Sequence, residues 1–261
     1  MLIDCNAYIG HWPFRQLRNN TCASRLEQMD QINVDISIIS NLNGIFYKNT
    51  QAANQELHDE IKSDKKYSER YLPFAVINPI FAGWKDDLKT SINKYGMKGI
   101  RLYPKYHKYE LGNPQCIELV KIARDQGLPI ALSLRMVDSR PSSWLDIQKE
   151  WALKDVVPII KAVPDAKFMI LNVANNANLE EQDLLLFQKT DLIMDTSGRN
   201  IINLGQMLQS FGKDKFAFGS HAPILDHYTG LLRVESLRKE EADEKTKEQL
   251  RSGNIKRLLN L

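Results

Sequence analysis

Leu2-Ile3-Asp4-Cys5-Asn6-Ala7-Tyr8-Ile9-Gly10 reads as a strand, and in a closed sheet its side chains alternate between interior and exterior. That alternation puts Asp4, Asn6 and Tyr8 on the inward face and turns Cys5 outward, packed behind the strand as a small hydrophobe. Further short apolar runs are predicted as strands at 34–40, 72–77, 98–103, 129–134, 167–172, 192–195 and 215–219. Amphipathic stretches near 24–32, 51–67, 84–95, 114–126, 143–162, 180–188 and 201–211 separate them as predicted helices. Strands alternating with helices call for a parallel sheet, and eight strands close one into a barrel. Asn113-Pro114 caps and starts a helix, and Gly127 and Gly212 stop helices. Both Tyr95-Gly96-Met97-Lys98-Gly99-Ile100-Arg101 and Asp125-Gln126-Gly127-Leu128-Pro129-Ile130 run from a helix end through glycine into an apolar run. The expected fold is one α/β domain over 1–261, a single distorted (β/α)8 TIM barrel, whose usual length of about 250 residues this chain matches.

Composition excludes several classes. The net charge of +3 comes from 35 basic and 32 acidic residues, too small an excess to attract nucleic acid. No run of about 18 apolar residues occurs, and Met1-Leu2-Ile3-Asp4 lacks the start of a signal peptide, so no membrane partner and a cytoplasmic location are expected. Cys5, Cys22 and Cys116 form no C-x-x-C pair and read as free thiols. The charge run from Arg233 to Arg257 reads as a solvated helical face, and Trp144, Ile147 and Trp151 as one packed face of a barrel helix. No phosphate-binding glycine loop and no G-x-S-x-G elbow is present.

Several segments resemble the amidohydrolase-related family of metal-dependent hydrolases and decarboxylases. The opening strand is similar to its D-x-H-x-H-x-G motif, with Asn6 and Tyr8 in the places of the two metal-holding histidines. Gly99-Ile100-Arg101-Leu102-Tyr103-Pro104 resembles G-[IFV]-[KR]-L-x-P, and Gly127 to Ser133 resembles G-L-P-[VI]-x-[IVL]-H with Ser133 for the histidine. Pro164 to Asn172 resembles P-x-x-[KR]-F-[VIM]-[LI]-x-H with Asn172 in the last place, and Asp195-Thr196-Ser197-Gly198 is similar to the end of strand seven. Phe216 to Pro223 resembles [IL]-x-F-G-S-D-x-P with His221 for the catalytic aspartate, and Gly253 to Leu259 the closing G-N-A-x-R-L-[LF] helix. The resemblance implies the barrel, a pocket at its C-terminal face and hydrolysis of an ester, lactone or amide. Because His, His, His, His and Asp have become Asn6, Tyr8, Ser133, Asn172 and His221, the usual divalent metal is expected to be absent and no cofactor is expected.

The remaining polar residues define the candidate site. Arg101 shares an inward face with Tyr103, and Ser133 shares one with Arg135; Asn6, Asn172 and His221 complete a cluster at the strand ends. Two guanidiniums, with Lys105 near them, suit a small anionic, carboxylate-bearing molecule. In the catalytic reading His221 moves a proton, Tyr8 or Ser133 donates to a developing oxyanion, and Arg101 or Arg135 fixes the substrate. In the non-catalytic reading His221 is a neutral histidine bonded to Asp4 or Asn6, the arginines neutralise Asp4 and Asp195, and the protein is a ligand sensor or partner subunit. A third reading is a metal hydrolase with a rearranged ligand set of His11, His107 and His221. His11-Trp12-Pro13-Phe14 is expected to cap the barrel. Homo-oligomerisation is left open.

Overall fold

The computed structural model describes residues 1–137, 146, 151–173, 177–197 and 203–261. Its strands are β1 (Ile3–Ile9), β2 (Ile36–Asn41), β3 (Tyr71–Val76), β4 (Gly99–Leu102), β5 (Ile130–Ser133), β6 (Phe168–Leu171), β7 (Leu192–Asp195) and β8 (Phe216–Ala217). They form one eight-stranded sheet in sequence order, each parallel to the next. The chain just after β8 returns to β1: Cys5 N–H donates to the Phe218 carbonyl and Tyr8 N–H to that of Ala222, both at 2.9 Å. The molecule is the expected (β/α)8 barrel, nearly closed, with all strand ends that carry the candidate residues on one face.

Alternation along the strands makes two apolar layers. Outward-facing Ile100, Leu102, Ile130, Leu132, Phe168 and Ile170 join the helix-packed core, while Ile38, Phe74, Ala131, Met169, Ile193 and Ala217 fill the interior. Ile255 and Leu258 of the last helix, Asn254–Leu259, complete the interior cluster and close the floor of the barrel. Gly99 exists for this packing: a Cβ there would lie 2.5 Å from the Phe74 ring. Gly99→Ala is therefore expected to destabilise the fold by about 2 kcal/mol through overpacking, measurable as a lowered urea midpoint; an unchanged midpoint would show that the Phe74 ring can move aside.

Two inward-outward expectations for β1 are corrected. The β1–β2 register advances three residues on one side, Asp4 to Ala7, against two on the other, Ser37 to Ile39. This bulge places Cys5 and Asn6 in succession toward the interior. Cys5 thus packs inside with Ile3 and Ile38, not behind the strand. Asp4 turns instead to helix α1 (Cys22–Gln31), where its carboxylate meets Arg25 at 3.5 Å.

Helix 51–67 divides into two, Thr50–Lys62 and Lys65–Arg70, because Asp64 caps a second start by accepting from Lys66 N–H. Among the described residues of the stretch 143–162, a short 3-10 turn at Leu153–Asp155 and the helix Val157–Ala162 are formed; Trp144, Ile147 and Gly198 lie outside the described residues. The loops after β2 and β4 carry unexpected single turns, Asn43–Phe46 and Pro104–His107. The charged run 233–257 is broken into Glu244–Glu248, a π turn at Gln249–Gly253 and the closing helix rather than one face. Among the described residues no helix is long and apolar enough to cross a membrane.

Candidate functional site

Arg101 enters the barrel interior from β4 and is fully buried. Its Nη1 donates to Asn6 Oδ1 at 3.1 Å, and the guanidinium lies over the Tyr8 ring, 4.5 Å from its centroid. Among the described residues its Nε and Nη2, and the buried Tyr103 hydroxyl two residues on, meet no partner in hydrogen-bond geometry, although the phenol and the guanidinium lie close together. Burial opposes the charge, whereas Tyr8 and Tyr103 favour it, and the net direction of its pKa is upward. A cation with two unanswered N–H groups in a dry interior is costly unless something completes it.

Asn6 links this cation to a carboxylate. Its Nδ2 donates to Asp195 Oδ2 at 2.7 Å, with Ser197 Oγ at 3.3 Å and His221 Nδ1 at 3.1 Å also facing it. Asp195 further accepts from Ser197 Oγ at 2.5 Å and Asn172 N–H at 2.6 Å, and Gly219 lets the chain pass so closely that a Cβ would sit 2.6 Å from Asp195 Oδ2. Burial pushes the Asp195 pKa up against the pull of those bonds.

His221 is fully buried and its Nε2 lies 2.9 Å from the Met136 carbonyl. A carbonyl only accepts, so Nε2 carries the proton and Nδ1 is the acceptor facing Asn6 and, at 3.3 Å, the Tyr8 hydroxyl. Burial pushes its pKa down to about 3, helped by the positive charges of Arg101, Arg135 and Arg15. His221 and Asn172 both hold left-handed backbone, φ 58° and 56°, a conformation that non-glycine residues adopt where the surroundings enforce it.

Tyr8 Oη also meets Ser133 Oγ at 3.4 Å, and burial raises its pKa, so it is a neutral donor. Arg135 donates from Nη2 to Asn172 Oδ1 at 3.2 Å, and Asn172 Nδ2 returns a bond to the Arg135 carbonyl at 3.0 Å. A cavity of ≈ 10 Å³ bordered by Tyr103, Lys105, Ser133 and Arg135 lies beside this group, room for about one water. Above it Trp12, Phe14, Phe46 and Tyr106 pack edge to face, and Asp146 accepts from Trp12 Nε1 at 3.3 Å and Tyr106 Oη at 3.1 Å. The loop after β1 therefore caps the barrel as expected.

The structure brings Asn6, Tyr8, Arg101, Ser133 and His221 together, with Tyr103, Arg135 and Asn172 beside them. It removes Asp4, which is neutralised by Arg25 and bonded by Ser220 N–H at 2.9 Å and Ser220 Oγ at 2.5 Å, so the arginines in the pocket do not answer it. It also separates His11, His107 and His221: His11 is exposed, His107 Nε2 faces the Gly44 carbonyl, and among the described residues no three His, Cys, Asp or Glu side chains group as ligands. The donors present do not fit a divalent ion, because Asn6, His221 and Asp195 are engaged with one another beside a fixed guanidinium. Arg25, Ser197 and the Met136 carbonyl were not foreseen; Arg25 sits at helical spacing from Cys22 and Met29, also buried, the one available signal.

A family model described as amidohydrolase matches residues 8–261. Among solved structures, a 2,6-dihydroxybenzoate decarboxylase from Rhizobium is similar at 15% identity and TM-score 0.71, covering 99% of this chain and 98% of that one. A 2,6-dihydroxybenzoate decarboxylase complexed with 2,6-dihydroxybenzoate gives 15% and 0.73, covering 100% and 99%. A dihydroxybenzoic acid decarboxylase from Polaromonas sp. JS666, with bound manganese and the inhibitor 2-nitroresorcinol, gives 13% and 0.75, covering 100% and 97%. No curated protein matches the chain at a significant level.

Proposed function

The chain belongs to the amidohydrolase family, and on that premise we propose that it binds a small carboxylate-bearing anion at the C-terminal ends of the barrel strands. Arg101 is the anchor, and Tyr103, Arg135, Asn6 and Asn172 surround it. The observation that carries this reading is the buried guanidinium whose Nε and Nη2 lack partners among the described residues; a carboxylate supplies two acceptors in one plane. The decarboxylase relative complexed with 2,6-dihydroxybenzoate lends support from a similar fold.

The side chains favour binding over proton abstraction. Tyr8 and Ser133 are neutral hydroxyls able to donate to an oxyanion, while His221, with a pKa near 3, is a weak base in the closed site. Metal-free hydrolysis of an ester, lactone or amide would first need the burial that lowers the His221 pKa to be relieved, the ligand anion offsetting only the smaller contribution of the arginine charges.

The test is thermal melting with sodium formate and with 2,6-dihydroxybenzoate. At ten times the dissociation constant a ligand contributes about 1.4 kcal/mol, which raises the melting temperature by about 3 °C. That rise is expected in the wild type and not in Arg101→Met. An equal rise in both proteins would end the reading.

A further inference from the structure

We infer that Arg101 is the resident cation of this barrel, using Nη1 and its flat face to engage Asn6 and Tyr8 and keeping its Nε/Nη2 edge, with the Tyr103 hydroxyl, for a ligand carboxylate. The inference rests on the carboxylate reading above and adds the source of the site's positive charge. Asn6 and Tyr8 stand where the two histidines of the D-x-H-x-H-x-G resemblance would hold an ion. In this chain one is 3.1 Å from Nη1 and the other lies under the guanidinium with its ring centroid 4.5 Å away.

Three consequences of that contact agree. The Asn6 carbonyl oxygen is used by the guanidinium, and its amide nitrogen is turned to Asp195, so the amide offers no oxygen to a second cation. A divalent ion at this place would face a permanent charge in a water-poor interior, where repulsion is little screened. Finally, Nε and Nη2 form one edge of the guanidinium, the edge that takes both oxygens of a carboxylate in parallel. Among the described residues they and Tyr103 Oη meet no partner in hydrogen-bond geometry, and the phenol lies close enough to the guanidinium to stand beside the same ligand. As a metal keeps a coordination position for substrate, this guanidinium keeps an edge.

The experiment uses full-length protein prepared without chelators or an affinity metal. Metal content is read by elemental mass spectrometry, and melting curves are recorded with EDTA, manganese chloride, zinc chloride and sodium formate. The expected result is metal far below one per chain, melting unmoved by EDTA or either metal, and formate stabilisation whose dissociation constant rises about tenfold or more in Arg101→Met and about threefold in Tyr103→Phe. Near-stoichiometric metal whose removal lowers the melting temperature would overturn the resident-cation inference and leave the carboxylate reading standing, provided formate still binds through Arg101. Formate binding that is absent from the wild type, or unchanged in both variants, would overturn both. Should Arg101→Met fail to fold, Tyr103→Phe and the movement of a buried arginine Nε–H resonance on formate addition decide the same question, an unmoved resonance counting against the inference.

Discussion

Arg25→Met should lower the unfolding free energy by about 3–5 kcal/mol at pH 7, the usual loss when one partner of a buried ion pair is removed. Arg25 and Asp4 are each 1% exposed, so no water takes over when the guanidinium goes. Asp4 would retain only the bonds from Ser220 and from Asn6 N–H at 3.1 Å. Burial already raises its pKa, more than Arg25 and Ser220 pull it down. The sign follows: a carboxyl with a raised folded pKa contributes stability below its unfolded value, and that contribution is lost as pH rises through the folded value. Without Arg25 the folded value climbs further. The deficit of the variant should therefore be large at pH 7 and shrink toward pH 4, and Asp4→Asn in the same chain should recover most of it. Urea unfolding at both pH values checks this; a deficit under about 1 kcal/mol at pH 7 would mean that the pair behaves as a solvated one.

The second large effect is a slope. His221 titrates near 6.5 in the unfolded chain and is pushed down to about 3 when folded. Above pH 6.5 it contributes no pH dependence. As pH falls below that, the unfolded chain gains a proton that the native state refuses, and the wild type loses about 4 kcal/mol by pH 3 relative to a variant without the imidazole. Asp4 and Asp195, both raised, act in the opposite direction over the acidic range, so the difference between wild type and His221→Asn is the quantity to measure. Asparagine is chosen because it tolerates the left-handed backbone at 221. Parallel stability curves for the two proteins between pH 6.5 and 3 would refute the assignment of a buried, neutral histidine.

The strands were legible because apolar runs mark them whatever their neighbours do, and the observed ends fall within a few residues of those runs. Alternation also oriented Arg101 and Tyr103 correctly, since β4 pairs with β3 without a break, Phe74 to Gly99 through Val76 to Arg101. It failed on β1, where one extra residue between Asp4 and Ala7 reverses the faces of Asp4 and Cys5, and no residue type in that strand announces a bulge. The partner of Asp4 was hidden for a related reason: Arg25 resembles any helical arginine until the helix is docked. His221 could be singled out, but its tautomer could not, because every residue carries a carbonyl and only the fold selects that of Met136. That Asp4 pairs with Arg25 and not with Arg101 is likewise a matter of three-dimensional placement alone.

The floor of the barrel has a bearing on biosynthesis. Leu250 O accepts from Phe218 N–H at 2.8 Å, Asn254 Nδ2 donates to the Phe216 carbonyl at 2.9 Å, and Ile255 and Leu258 fill the bottom of the interior. During synthesis the inner apolar layer therefore stays open at one end until the segment carrying Ile255 and Leu258 has docked. During that interval Phe74, Met169 and Ile193 are accessible from below, and it is this window, rather than the finished barrel, that a chaperone would have to guard.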